Sequence, residues 1–309
     1  MQSTTSNPVI VGVDTSERAR DAVSLGRLLA PALGAELVIA HAFPYDERRS
    51  RFASVGYERL LREDADQCLQ GLAEVAGPAA RMVALPDTSP ARGLHLLAER
   101  EQAQLLITAS SHRGRIGSTF LGNVAQQTLH SSPCAVAVAP LGYGSTARGA
   151  VAAIGIGFDG EEESDAALAF GAGLATSLNA ELRLLGSSYI APVVGSAGLV
   201  AYDMAPMQRA AEDDLRKQVD QAVREQAVAC RGEVTDRPAV TELLRLSREV
   251  DLLVLGSRRF GPARRLLAGS TSDAVVREAA CPVLVLPRGA ELPATGDRPV
   301  AEEMALGAG

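Results

Sequence analysis

Asp14 and Asp159 each close a short apolar run, VIVGVD (9–14) and AIGIGFD (153–159). Roughly a hundred residues after each comes a polar loop rich in glycine, arginine and serine. The first loop is ASSHRGRIGSTFLGNVA (109–125) and the second is GSRRFGPARRLLAGSTS (256–272). In open α/β sheets, ligands bind outside the carboxyl ends of the strands. An aspartate there and a glycine-rich loop running into a helix N-terminus can serve one ligand together. The loop supplies backbone N–H groups suited to phosphate. In the second loop the candidates are Gly256, Ser257, Gly269 and Ser270, and in the first Gly122. Arg258, Arg259, Arg264 and Arg265 make the second loop basic in a chain of net charge −7, which suits an anion. A solvated arginine-rich loop is the plainer reading, and the residues alone leave both open.

These residues are useful only if a fold brings them together, and an internal duplication indicates which one. Asp14 and Asp159 are 145 positions apart, as are GAELVIAHAF (34–43) and NAELRLLGSS (179–188). QLLITASS (104–111) and DLLVLGSR (251–258) repeat at 147, as do Gly122 with Gly269 and Cys134 with Cys281. Pro90 and Pro238, 148 apart, each open a helix at its first turn. Each copy reads as five apolar strands alternating with helices. In the first copy the two helices that follow strands one and two span about 16–33 and 53–76. In the second copy they span about 161–178 and 206–229. That alternation implies right-handed crossovers and a parallel sheet covered on both faces. The fold class is α/β, with two tandem doubly wound, Rossmann-like five-stranded sheets. The expected domains are 7–141 and 149–288, joined by LGYGSTAR (141–148), with a disordered tail over 289–309.

Composition excludes several functions. The acidic balance argues against a nucleic-acid partner, which needs a basic face. No apolar run reaches the ~18 residues that span a bilayer, and MQSTTSNPVIVGVD lacks the basic start of a signal peptide. A cytoplasmic protein is expected. Cys68, Cys134, Cys230 and Cys281 form no CxxC pair and read as small buried hydrophobes. His41, His95, His112 and His130 lack metal-ligand spacing. The sole lysine, Lys217, follows no glycine loop, so no Walker A motif exists. GIGFDG (155–160) matches GxGxxG only with its first two glycines inside a strand, a false match for a dinucleotide site. No GxSxG nucleophile turn occurs. The HxGH and SGGxDS loops of nucleotidyl transferases and ATP pyrophosphatases are also absent.

The IGIGFDG start, the CPVLVLP end and the Gly256…Gly269-Ser270 spacing of 13 resemble the universal stress protein family along the whole chain. ATP-binding members carry Gly, two residues, Gly, nine residues, then Gly-Ser/Thr after strand four. Arg259 stands where the middle glycine belongs, and it can either obstruct phosphate or pair with it. The first copy has Ala109 and His112 at the first two glycines and Asn123 after Gly122. The resemblance implies ATP or another adenine nucleotide, with or without Mg, bound mainly by the C-terminal copy. Asp159 would hold the nucleoside and Gly256, Ser257 and Gly269 would donate backbone N–H groups. Ser270 would donate its hydroxyl, and Ser187 would touch adenine through its backbone. Asp14, Gly122 and Arg259 are the weaker candidates. The implied role is stress response or regulation, as a homodimer, with slow ATP hydrolysis at most. The alternative is a nucleotide-free dimerisation or interaction module. The resemblance also implies that the copies pair about a pseudo-two-fold axis through their fifth strands, 135–140 and 282–286.

Overall fold

The computed structural model describes residues 7–45, 55–110, 123–130, 132–146, 150–191, 205–257 and 270–287. The expected tail therefore lies outside the described residues. The N-terminal half runs β1 (Val9–Val13), α1 (Ala19–Ala32), β2 (Leu37–Phe43), α2 (Val55–Gln70), α3 (Ala73–Ala76) and β3 (Arg81–Pro86). It continues with α4 (Pro90–Glu101), β4 (Leu105–Ala109), α5 (Asn123–Leu129) and β5 (Ala135–Ala139). A short α6 (Tyr143–Thr146) joins it to the C-terminal half, which begins β6 (Ala153–Gly157), α7 (Glu162–Leu178), β7 (Glu181–Ser187) and α8 (Ala205–Arg224). It ends β8 (Cys230–Thr235), α9 (Ala239–Leu246), β9 (Leu252–Gly256), α10 (Ser270–Glu278) and β10 (Val283–Leu286).

Within each half every strand pairing is parallel, and the two five-stranded sheets merge into one of ten strands. The order is β3-β2-β1-β4-β5-β10-β9-β6-β7-β8, and the β5–β10 pair is antiparallel. Ala137 faces Leu284, with Val136 opposite Val285 and Val138 opposite Val283. Ala137 and Leu284 are themselves 147 positions apart, so a pseudo-two-fold axis passes through that pair. AVAVA and VLVL, which would be exposed as edges, instead cover each other and are fully buried. The true edges, β3 and β8, carry charge: Arg81 pairs with Glu36 and Glu101, Arg231 with Glu181, and Glu233 with Arg245.

One face of the sheet packs against α1, α2, α7 and α8, and the other against α4, α5, α9 and α10. Each apolar cluster draws residues from both halves. The helices after β3 and β8 align one residue away from the proline match. Pro90 is the first residue of α4, whereas Pro238 is the N-cap of α9. Buried Leu94 and Leu97 therefore correspond to Leu243 and Leu246, which keeps both leucines on the sheet.

The described part of the connection, 141–146, is more structured than a linker. Asp21, buried on α1, accepts the N–H of Gly142 at 2.8 Å and of Gly144 at 2.7 Å. Tyr143 lies against the core between the halves, and burial pushes its phenol up to about 12. Asp21→Ala strands two N–H donors that met a carboxylate, and hydrogen bonds to charged groups contribute about 1.5–3 kcal/mol each. The expected result is a loss of about 3 kcal/mol or more in urea unfolding, with Asp21→Asn partly restoring it through its amide oxygen.

Candidate functional site

The carboxyl ends of β6, β7 and β9 meet the first turns of α7, α9 and α10 around a cavity of about 300 Å³. This is the low end of the size range for small-molecule sites, ~300–1,000 Å³. Its walls include Asp159, Glu163, Ser164, Ser187 and Gly256, together with Ser270, Thr271 and Ser272.

Asp159 follows β6 and is half-buried. Its carboxylate accepts the N–H of Glu161 at 3.1 Å, and its own N–H donates to Ser164 Oγ at 3.3 Å. Ser164 Oγ in turn donates to the Glu161 carbonyl at 2.8 Å. Between them Gly160 takes a φ of +75°, which a side chain rarely adopts. The turn thus fixes the carboxylate at the mouth of the cavity. Glu163, in the acidic first turn of α7, also lines it.

Gly256 ends β9 against the first turn of α7. A Cβ there would lie 2.2 Å from the Glu163 carbonyl oxygen and 2.6 Å from its carbonyl carbon. The glycine is required by helix packing, whatever the ligand. Ser257 needs a correction: its N–H donates to the Leu286 carbonyl at 3.1 Å, continuing the sheet ladder. It is therefore not the backbone phosphate donor that its sequence position implies. Ser187 lines the cavity, and its hydroxyl donates to the Arg237 carbonyl at 2.7 Å. Ser270 is the exposed first residue of α10. Gly269, Gly122 and Arg259 lie outside the described residues, as does His112.

Thr271 and Ser272 were missed by motif matching, which stops at the serine after the glycine. The signal for them was the unbroken hydroxyl run Ser270-Thr271-Ser272. It lies on the first turn of a nine-residue helix, where orphan N–H groups and the helix dipole favour an anion.

The N-terminal half holds a counterpart cavity of about 280 Å³ at the ends of β1, β2 and β4. Asp14 is there, more exposed than Asp159. Its Oδ1 accepts the Ser16 N–H at 3.0 Å and the Ser16 hydroxyl, and Arg18 lies 3.8 Å from its Oδ2. Asn123, Val124 and Ala125 occupy the positions of Ser270, Thr271 and Ser272. Beside this cavity the Cys68 thiol donates to the Asp14 carbonyl at 3.5 Å and lies 3.8 Å from His41 Nδ1. Burial, then the charge of Asp14, raise that thiol above its ordinary range, so this is no activated thiolate. Burial likewise holds Cys134 and Cys281 at about 12, in keeping with inert core cysteines. Among the described residues no group of three metal-ligating side chains exists, and no helix is long and apolar enough to cross a membrane.

The Universal stress protein family matches this chain twice, over residues 5–140 and 152–287. A universal stress protein of Mycobacterium tuberculosis is 30% identical over 186 residues, covering 60% of this chain and 62% of its own. The chain thus matches about three fifths of that relative's length. One from Thermus aquaticus is 26% identical over 131 residues, covering 41% of this chain and 94% of its own. Among solved structures, a universal stress protein from Archaeoglobus fulgidus superposes with a TM-score of 0.64 at 17% identity, covering 92% of this chain and 99% of that one. At that identity the likeness concerns the fold.

Proposed function

Since the chain belongs to the universal stress protein family, we propose that it is a cytoplasmic stress-response or regulatory protein that binds ATP or another adenine nucleotide, mainly in its C-terminal half. The observation that carries this reading is that the hydroxyl-bearing start of α10 and Asp159 line one cavity. Asp159 holds the ribose hydroxyls. Ser270 and Thr271, with the first N–H groups of α10, hold phosphate. Mg bound with the nucleotide would offset the negative charge that Asp159 and Glu163 bring to the cavity. The two domains, 7–141 and 149–288, act as one rigid scaffold, and two chains form a homodimer.

One observation favours the ligand-free alternative. Two carboxylates line the same cavity, and without a cation they repel phosphate. Acid extraction of the purified protein, with chromatography of the supernatant, separates the readings. An adenine nucleotide released in proportion to the protein is the expected result. A clean extract, together with no calorimetric response to MgATP, would establish the interaction module instead.

A further inference from the structure

The N-terminal cavity occupies the place of the nucleotide cavity but offers different chemistry. Its Asp14 accepts the Ser16 N–H and hydroxyl at Oδ1, and Arg18 stands beside its Oδ2 at 3.8 Å. The first turn of α5 presents Val124 and Ala125 to it, where α10 presents hydroxyls. His41, whose Nδ1 is held by the Val13 carbonyl at 2.9 Å, puts an imidazole where the other half has Gly186. None of this suits a polyphosphate.

Two residues point to what does fit. Arg18 replaces the repeat-equivalent Glu163, reversing the charge on that wall. Its Nε donates to Ser16 Oγ at 3.2 Å, and its 3.8 Å approach to Asp14 is too long for a hydrogen bond. The remaining N–H groups of its half-buried guanidinium have no other partner among the described residues, so they can take an anion. Thr108 replaces Leu255. It lines the cavity, is only 4% exposed, and its Oγ1 has no hydrogen-bond partner. A buried hydroxyl left unmatched is unfavourable and rare, and this one belongs to a residue of the cavity wall. Leucine in the same place would have no such need.

We infer that the N-terminal cavity is a second ligand site, for a small monocarboxylate that carries a hydroxyl or carbonyl on an otherwise apolar body. The carboxylate meets Arg18, the apolar body lies against Leu94, Val124 and Ala125, and the ligand's polar group satisfies Thr108. The site is independent of nucleotide binding in the other half.

The test uses the full chain with 3-hydroxybutyrate, butyrate and, as the charge control, butylamine, followed by saturation-transfer NMR and calorimetry. Saturable binding of both carboxylates is expected, at least threefold tighter for 3-hydroxybutyrate, with none for butylamine. Arg18→Gln should weaken both carboxylates at least tenfold. Thr108→Val should erase the preference for 3-hydroxybutyrate while leaving butyrate affinity, and a thermal midpoint equal to or above wild type, intact. Saturating MgATP should displace neither. Absence of saturable carboxylate binding would overturn the inference, as would affinities indifferent to both substitutions. Displacement by MgATP that depends on Asp14 would make this cavity a nucleotide site and also refute it. Carboxylate binding without any MgATP binding would leave it standing and remove the nucleotide reading.

Discussion

Gly256→Ala is expected to cost about 3 kcal/mol of stability, at the upper end for one added methyl in a packed interior. The added Cβ meets the Glu163 carbonyl, part of the backbone of α7, at 2.2 Å. No side-chain rotamer can relieve that contact, so β9 or α7 must move. In a unit of 150–250 residues each kcal/mol lowers the thermal midpoint by about 2–4 °C, so a drop of roughly 6–12 °C is expected. The repeat offers a natural control. The N-terminal half carries Ala109 at this position, and there α1 starts two repeat positions later than α7. The close approach is therefore peculiar to the C-terminal half. A Gly256→Ala variant that melts like wild type but binds MgATP at least tenfold more weakly would show that the glycine serves the ligand and not the helix.

That distinction could not be drawn from the sequence, because one glycine answers to both demands. What the sequence did carry was periodic and apolar. Strand runs such as VIVGV and LLVLG, and a repeat offset held at 145 to 148, were enough to define two parallel sheets. Their junction was expected from the resemblance, and it agrees with AVAVA and VLVL being too apolar to stand as open edges. Contacts between distant residues were not legible. Asp21 reads as a stray polar residue on an apolar helix, and only the fold shows it gripping Gly142, 121 residues on. Likewise, the proline match placed α4 and α9 one residue out of step, since proline is tolerated both at the N-cap and just inside a helix. At the site, Asp159, Ser187, Gly256 and Ser270 were found from pattern, and the structure brings them to one cavity. The spending of the Ser257 N–H on Leu286 depends on the strand ladder running one residue further than an apolar run can reveal.

MgATP binding is expected to depend on Asp159 and on the start of α10, and to be indifferent to Asp14. Asp159→Ala removes the carboxylate that the turn at Gly160 fixes at the cavity mouth. The triple substitution Ser270→Asn, Thr271→Val and Ser272→Ala writes the N-terminal half's residues onto α10 while keeping its length. Each lost hydrogen bond in which one partner is charged, whether phosphate or the Asp159 carboxylate, weakens binding about tenfold to a hundredfold. Asp159→Ala should therefore weaken binding at least tenfold and the triple variant about a hundredfold, with Asp14→Ala within about twofold of wild type by calorimetry. Binding that survives Asp159→Ala and disappears with Asp14→Ala would place the nucleotide in the other half. The carboxylate pair adds a sign to the prediction. With Mg removed by chelation, the charges of Asp159 and Glu163, both residues of the cavity wall, are no longer offset by that cation. Affinity should then fall, and Glu163→Gln should recover part of it by removing one like charge. If Glu163→Gln leaves metal-free binding unchanged, the phosphates do not approach Glu163.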